Sequence, residues 1–184
     1  MYSFAIHPNP LPYVMSLDAR SVDAIDTVVI HCTELPDLAT AREYGERALY
    51  DSGTGNSGHY YIDRDGRIEE YVAPARVAHH TKGWNPRSIG IELVNTGRYP
   101  DWLDSRHQSM NEPYSEIQIT ALIALLQWLS SQFEGLTQIA GHEDLDRGEV
   151  EASDNADLHV RRKLDPGPMF PWEKVLGAIH LRRL

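Results

Sequence analysis

Cysteine, long apolar runs and positive charge are all scarce in this chain of 184 residues. Its single cysteine, Cys32, cannot form an internal disulfide, so the fold does not depend on an oxidising compartment. No stretch approaches the roughly 20 apolar residues that cross a bilayer. The net charge of -10 disfavours binding to nucleic acid, because Lys and Arg supply most of the affinity for phosphates. We therefore expect a cytoplasmic protein with no membrane span and no nucleic-acid partner.

The N-terminal residues predict an extended arm that wraps a single domain. Three prolines occur in the first twelve residues, and proline continues neither a helix interior nor a strand ladder. The same stretch lacks the basic and long apolar regions of a secretion signal. Apolar residues at 41% and charged residues at 24% are typical of one globular core. We divide the chain into an arm, residues 1–25, and a domain, residues 26–184.

The spacing of apolar residues predicts strands and helices in alternation. Strand-like patterns occupy residues 26–31, 59–63, 67–72, 88–94 and 137–140. Helical patterns occupy residues 38–51, a segment that starts at Ser115 with Gln118 placed for a capping box, and residues 172–181. Asp65-Gly66 predicts a hairpin, and the charged residues 143–162 predict a surface loop. The fold class is thus α/β, with a mixed, mainly antiparallel-edged central sheet flanked by helices.

Three polar residues from distant parts of the chain form a candidate metal site. His31 ends the first predicted strand, His142 follows the last, and Asp165 precedes the apolar C-terminal stretch. Two imidazoles and one carboxylate are a common ligand set for catalytic zinc. Each residue also has an ordinary interpretation, since histidines are frequent at strand ends and an Asp-Pro-Gly sequence is typical of a turn. Asp144 and Asp146 are alternative carboxylate ligands.

Five motifs occur in order along the chain: VIHCT at 29–33, HYYIDRDG at 59–66, SIGIEL at 88–93, GH at 141–142 and KLDPGP at 163–168. They resemble the motifs of zinc-dependent N-acetylmuramoyl-L-alanine amidases, in particular the branch of anhydromuramoyl-peptide amidases that recycle cell-wall fragments. The resemblance implies one zinc ion per chain. It also implies hydrolysis of the amide between the lactyl group of N-acetylmuramic or anhydro-N-acetylmuramic acid and L-alanine.

The resemblance also assigns roles to single residues. His31, His142 and Asp165 match the zinc ligands of the family. Glu92, the lone polar residue on an aliphatic strand, matches the general base, and its alternative role is a buried ion pair. Lys163 matches a lysine that stabilises an oxyanion, and its alternative is a solvated loop lysine.

Four further residues match positions along the substrate groove of the family. His80 aligns with a groove histidine, while Trp84, Asn85 and Arg87 lie where the sugar or the peptide carboxylates could be held. Arg suits a carboxylate because its guanidinium donates two parallel hydrogen bonds. The alternatives are a tryptophan that packs and an arginine that is solvated.

The chain departs from the family at several positions. Cys32 stands where recycling enzymes often have a second histidine, and alternation along the strand places it in the core. Gly58 stands where phage and animal relatives carry a catalytic tyrosine, which leaves proton transfer to Glu92. Residues 149–159 form a longer loop, which we expect to reshape the groove.

The predicted partner is a muropeptide or peptidoglycan substrate, with no obligatory protein partner. Three alternatives stay open: a catalytically silent peptidoglycan-binding module, an amidase that degrades the intact wall in the periplasm or during phage lysis, and a zinc hydrolase for another amide.

Overall fold

The computed structural model describes residues 5–184, so the first four residues of the predicted arm lie outside the described part. The rest of the arm contains strand β1 (Ile6–Pro8) and two short 3-10 helices, Val14–Ser16 and Val22–Ala24. Its side chains Leu11 and Leu17 are buried. This segment thus contributes to the sheet and to the core, and the division into arm and domain stays a prediction.

A mixed sheet organises the chain. Besides β1, its strands are β2 (Thr27–Cys32), β3 (Tyr60–Ile62), β4 (Ile68–Glu70), β5 (Ser88–Leu93), β6 (Gln138–Gly141) and β9 (Arg182–Arg183). In the described residues the strand order is β1-β4-β3-β5-β2-β6-β9. The predicted hairpin of β3 and β4 is confirmed. The expectation of antiparallel edges is wrong, because β1 runs parallel to β4 and β9 runs parallel to β6.

Helices and loops cover both faces of this sheet. The helices are α1 (Leu38–Gly45), α2 (Glu116–Gln132), α3 (His142–Leu145) and α4 (Trp172–Leu176). The apolar face of α2 packs against the aliphatic side chains of β2 and β5 and forms the larger core. Ala41 of α1 packs on the other face with Tyr61 and Tyr71. The α/β class with a mixed sheet flanked by helices is therefore confirmed, and no helix within residues 5–184 is long and apolar enough to span a membrane.

The N-terminus of α2 forms only half of the predicted capping box. Ser115 accepts a hydrogen bond from the backbone N–H of Gln118, as predicted. The side chain of Gln118 does not return to Ser115, because its amide donates to the carbonyls of Ile62 and Val94. The helix is thereby fastened to the ends of two strands.

Three predicted segments need correction. Helix α1 ends at Gly45, six residues early, and Leu49, which continued the helical spacing, is 58% exposed instead of packed. The predicted surface loop at 143–162 contains α3 and an antiparallel hairpin of β7 (Glu149–Glu151) and β8 (His159–Arg161). The last predicted helix ends at Leu176, because the chain then joins the sheet as β9.

Candidate metal centre

Two neighbouring parallel strands hold the first two candidate residues. His31 on β2 pairs in register with Glu92 on β5, which brings their backbones to about 4.8 Å. Paired residues of adjacent strands share one face of a sheet. Ile30 and Ile91, one position earlier, lie in the core beneath α2. His31 and Glu92 therefore point to the opposite face.

His142 and Asp165 reach the same place from loops that follow β6 and β8. His142 is the first residue of α3, immediately after β6. The backbone N–H of Glu143 donates to the carbonyl of Asp165 at 2.9 Å, which ties the two segments together. Asp165 Oδ2 then lies 2.9 Å from His31 Nδ1 and 3.1 Å from His142 Nδ1.

These three buried residues fit a tetrahedral metal ion. Their ligand atoms all lie within 4.8 Å of one another, and tetrahedral zinc, about 2.1 Å from each ligand, keeps ligand atoms roughly 3.4 Å apart. The second carboxylate oxygen of Asp165, Oδ1, is buried and has no hydrogen-bond partner among the described residues. An unsatisfied buried oxygen beside two ring nitrogens is typical of a cation site.

The two alternative carboxylates lie outside this cluster. Asp144 forms an ion pair with Arg183 and accepts the backbone N–H of Gly141. Asp146 pairs with Arg162. Both carboxylates are thus engaged elsewhere, and the geometry favours Asp165.

The electrostatics of the cluster favour the protonation states that bind metal. Burial lowers the pKa of His31 to about 4, with a further contribution from His142, although Asp165 opposes both. Burial alone would raise the pKa of Asp165, but His142 and His31 hold it well below its usual range. At neutral pH the site therefore contains a carboxylate and a neutral His31 ring, the forms that coordinate a metal.

Glu92 is an unpaired carboxyl beside this cluster. Burial, together with the charge of Asp165, raises the pKa of Glu92 well above its usual range, while Lys163 lowers it. Within residues 5–184 neither Glu92 nor Lys163 forms an ion pair, so the alternative of a buried ion pair for Glu92 has no partner there. A carboxyl with a raised pKa in a cavity is typical of a functional group.

A cavity of about 980 Å³ opens above these residues. His80 and Asn85 line it with the metal cluster, Glu92 and Lys163. Trp84 and Arg87 do not line it. Arg87 forms an ion pair with Asp26, and its guanidinium lies 5.2 Å from the centroid of the Trp84 ring. The cavity thus brings together two of the four predicted substrate residues, and the roles of all four stay predictions.

The contacts of Asn85 and Cys32 stabilise the fold around the site. Asn85 Oδ1 accepts hydrogen bonds from the backbone N–H groups of His80 and Thr81, which fixes the loop in front of β5. Cys32 is buried, as predicted for a core residue, and burial raises the pKa of its thiol well above the usual value.

Sequence reasoning missed a buried ion pair beside the cavity. Glu34 and Arg98 both line the cavity wall, and Arg98 donates to both carboxylate oxygens of Glu34, at 2.7 and 2.9 Å. Glu34 takes a positive φ of 49°, which is uncommon for a residue with a side chain. The indole of Trp102, also in the wall, donates to the carbonyl of Glu34. The partners are 64 residues apart, so no local pattern pointed to the pair.

Gly58 is the position that the sequence analysis matched to a catalytic tyrosine of phage and animal relatives. A Cβ atom at this position would lie 2.8 Å from Glu92 Cγ and 3.2 Å from the carbonyl oxygen of Gly90. The backbone N–H of Gly58 instead donates to the hydroxyl of Tyr61. The absence of a side chain thus lets Glu92 occupy this part of the cavity.

Comparison with known sequences decides the family. The sequence profile of N-acetylmuramoyl-L-alanine amidases matches residues 21–168. The chain belongs to this family.

Three curated relatives illustrate the range of the family. N-acetylmuramoyl-L-alanine amidase AmiD of Escherichia coli K12 is 33% identical over 118 residues, 59% of this chain and 37% of AmiD. The 1,6-anhydro-N-acetylmuramyl-L-alanine amidase AmpD of Haemophilus influenzae is 27% identical over 133 residues, 67% of this chain and 58% of AmpD. The endolysin of Escherichia phage T7 is 28% identical over 127 residues, 66% of this chain and 77% of the endolysin. The chain thus spans less than two thirds of AmiD and AmpD.

Solved structures show the same fold. The amidase LysC from Clostridium intestinale URNW superimposes with a TM-score of 0.69 at 21% identity, covering 97% of this chain and 99% of LysC. Escherichia coli AmiD, in complex with the substrate anhydro-N-acetylmuramic acid-L-Ala-D-gamma-Glu-L-Lys, gives a TM-score of 0.63 at 25% identity. That match covers 84% of this chain and 57% of AmiD.

Proposed function

We propose that this protein is a zinc amidase that binds one zinc ion per chain. It hydrolyses the amide between N-acetylmuramic or anhydro-N-acetylmuramic acid and L-alanine in peptidoglycan fragments. The observation that carries the proposal is the cluster of His31, His142 and Asp165 beside an unpaired Glu92 at the base of one cavity. The anhydromuramoyl substrates named for AmpD and AmiD support the substrate class.

His31 Nδ1, His142 Nδ1 and an Asp165 carboxylate oxygen would hold the ion. Bound zinc would lower the pKa of an attacking water to about 7 and polarise the scissile carbonyl. Two histidines and a carboxylate leave a fourth position open, which is the arrangement of catalytic rather than structural zinc sites.

Two residues of the chain would carry the remaining chemistry. Glu92 would act as the general base that takes the proton of the attacking water and passes it to the leaving amine of L-alanine. Its raised pKa brings its proton affinity closer to that of the water and the amine. Lys163 would place its ammonium group near the oxyanion of the tetrahedral intermediate. Both side chains line the cavity and lack an ion-pair partner in the described residues, so both are free for these roles.

The size of the cavity suits a soluble fragment. A volume of about 980 Å³ is near the upper end of ordinary ligand pockets, which span roughly 300–1,000 Å³. Residues 149–159 support one wall, since the backbone N–H of Ser153 donates to the carbonyl of Leu103, which lines the cavity. We propose that this hairpin shapes the groove for part of the substrate. Of the four predicted substrate residues, His80 and Asn85 line the cavity.

The proposal is tested by a product map of a defined muropeptide. The zinc-loaded protein is incubated with an anhydromuramoyl tripeptide, and the products are identified by mass spectrometry. We expect a free peptide with an L-alanine N-terminus and the sugar acid, and we expect neither after chelation until zinc is restored. Binding without release of a peptide would instead identify a silent peptidoglycan-binding module.

The similarity to the T7 endolysin favours one alternative, an amidase that acts on the intact wall. Loss of turbidity of purified sacculi, compared with turnover of soluble muropeptides at equal enzyme concentration, separates the two substrates. We favour the soluble fragment and a cytoplasmic location, for which the single unpaired Cys32 is the supporting observation. We propose no obligatory protein partner.

A further inference from the structure

We infer that His80 is a positioning residue for the metal ligand His31. A chain of hydrogen bonds from the Trp84 carbonyl through Ser88 and His80 holds His31 in the tautomer that presents Nδ1 to a metal ion. The inference rests on the metal site of the proposed function and assigns His80 a role other than substrate contact.

The donor and acceptor of each hydrogen bond in this series follow from its first bond, between Ser88 and the Trp84 carbonyl. Ser88 Oγ lies 2.8 Å from the carbonyl oxygen of Trp84, and a carbonyl can only accept, so Ser88 donates its single hydroxyl proton there. Ser88 Oγ also lies 3.2 Å from His80 Nε2. Because the proton of Ser88 is already used, Ser88 accepts in this second bond. His80 therefore carries its proton on Nε2.

The next bond follows from the proton count of an imidazole. A neutral imidazole has one N–H and one lone pair, so His80 Nδ1 is an acceptor. This atom lies 3.1 Å from His31 Nε2, which must then donate. Thr81 Oγ1 lies 3.0 Å from His80 Nδ1 and 3.3 Å from His31 Nε2. A hydroxyl can donate to the first and accept from the second, which agrees with the same direction.

The consequence falls on the metal site. With its proton on Nε2, His31 presents a lone pair from Nδ1 toward Asp165 Oδ2 at 2.9 Å. A metal ion bound by both atoms would remove the repulsion between this lone pair and the carboxylate oxygen. The tautomer thus agrees with the metal site of the proposed function.

The fold makes room for this arrangement at Gly90 of β5. A Cβ atom at Gly90 would lie 2.6 Å from His80 Cγ, so only glycine lets the His80 ring lie against the strand. The rings of His31 and His80 meet edge to face with centroids 5.2 Å apart. Both nitrogens of His80 have partners within the protein. This leaves neither of them for a ligand in the cavity.

The test measures zinc affinity of the metal-free protein by competition with a chelator, in the wild type and in His80→Asn, His80→Gln and His80→Ala. The Asn amide oxygen can replace the Nδ1 acceptor, whereas the Gln amide reaches the Nε2 position. We expect His80→Ala to bind zinc about 10–100-fold more weakly, as is usual when a residue that orients a metal ligand is removed. His80→Asn is expected to recover most of this loss and His80→Gln less.

His79→Ala is the matched control, because it removes the histidine next to His80 in the sequence. The His79 ring packs against Tyr50, and His79 Nδ1 has no hydrogen-bond partner in the described part of the chain. Its zinc affinity is expected to equal that of the wild type. Nitrogen NMR of the zinc-loaded protein gives a second readout, because it shows which ring nitrogen of His31 carries the proton. We expect the proton on Nε2. Thermal unfolding of the metal-free variants identifies any that fail to fold. If His80→Ala fails to fold, the zinc affinities of His80→Asn and His80→Gln are compared instead, and the inference requires His80→Asn to bind more tightly.

The outcomes separate the inference from the proposed function. A wild-type protein that binds no zinc overturns the proposed function and this inference with it. Tight binding by the wild type with equal affinity in His80→Ala overturns the inference alone. A His31 proton on Nδ1 in the zinc-loaded protein overturns the inference and the choice of Nδ1 as the ligand atom, while the zinc site of the proposed function stands.

Discussion

The candidate site has a strand half and a loop half, and the two are held in place differently. The strand half consists of His31 and Glu92, on β2 and β5, and β2 has hydrogen-bonded neighbours on both sides. The loop half consists of His142, Lys163 and Asp165, which follow β6 and β8. The ladder fixes the strand half through many backbone bonds. The loop half is held by fewer backbone bonds, such as that from Glu143 to Asp165, and by bonds from single side chains.

Arg98 is one side-chain support of the loop half. Besides Glu34, its guanidinium donates to the carbonyls of Arg161 and Arg162 at 2.9 and 3.3 Å, immediately before Lys163. The buried carboxylate of Glu34 thus orients the arginine that holds the chain segment leading to Asp165, the proposed third ligand. A rigid ladder tolerates the loss of one bond better than this arrangement does. The comparison predicts that geometry is most easily disturbed in the loop half.

The largest effect is expected at Asp165, the proposed metal ligand of the loop half. Asp165→Ala removes the carboxylate that lies against both His31 and His142. We expect zinc binding to fail and hydrolysis to fall to the level of the chelated wild type. The loss should be at least as large as the roughly 10²–10⁴-fold contribution of one acid–base group. Zinc content by mass spectrometry and muropeptide turnover measure the two effects.

Asp18→Ala, at an exposed position that does not line the cavity, is the control for a lost carboxylate. It should keep its zinc and its turnover. If Asp165→Ala retained zinc at wild-type affinity, Asp165 would not be the third ligand.

The next effect tests the strand half. Glu92→Gln keeps the shape of the side chain but removes its ability to take a proton. We expect turnover to fall by about 10²–10⁴-fold, the usual contribution of a general base, with zinc affinity within a few-fold of the wild type. Single-turnover kinetics with the zinc-loaded variant measure the chemical step. Unchanged turnover would remove Glu92 from the mechanism.

Arg98→Met tests the support of the loop half. Arg98 and Glu34 are 1% and 9% exposed, so the variant leaves a buried carboxylate without its partner. Such a loss costs about 3–5 kcal/mol in the free energy of unfolding. Displacement of Lys163 and Asp165 by about 1 Å would lower turnover by about 100-fold. Chemical denaturation of the metal-free protein and muropeptide turnover measure both quantities.

A double variant separates the charge from the anchoring bonds. Glu34→Gln with Arg98→Met removes the unpaired charge, so part of the lost stability should return. Turnover should stay low, because the carbonyls of Arg161 and Arg162 still lack their donor. Recovery of turnover together with stability would show that Arg98 does not position the loop half.

The strand half was the more predictable part of the molecule. Alternation along residues 88–94 placed Glu92 opposite its aliphatic neighbours, and the β-branched run before His31 placed that histidine at a strand end. Both are local signals, and the structure has both residues where the alternation put them. The position of Asp165 beside His31 rested on the resemblance of motifs, because no local pattern relates residues 134 positions apart.

The helix predicted over residues 38–51 was too long, because part of its apolar pattern belongs to the cavity wall. Leu49 continues the helical spacing of residues 38–51, but it lines the cavity and is exposed there. An apolar side chain of the cavity wall thus gave the same pattern as a buried helix face. The ion pair of Glu34 with Arg98 and the return of the chain as β9 are long-range pairings, for which the sequence has no periodic signal.

Arg87→Met is expected to have the smallest effect, because Arg87 belongs to neither half of the site. It shows how little a change outside the site alters stability and KM. Arg87 precedes β5, five residues or about 16 Å along the strand from Glu92. Its ion pair with Asp26 is exposed, at 46% and 33% of the two side chains, and such pairs contribute about 0–1 kcal/mol. We therefore expect unfolding free energy to change by no more than this and KM to stay constant. A KM raised tenfold would instead support the sequence-based prediction that Arg87 binds a carboxylate of the substrate.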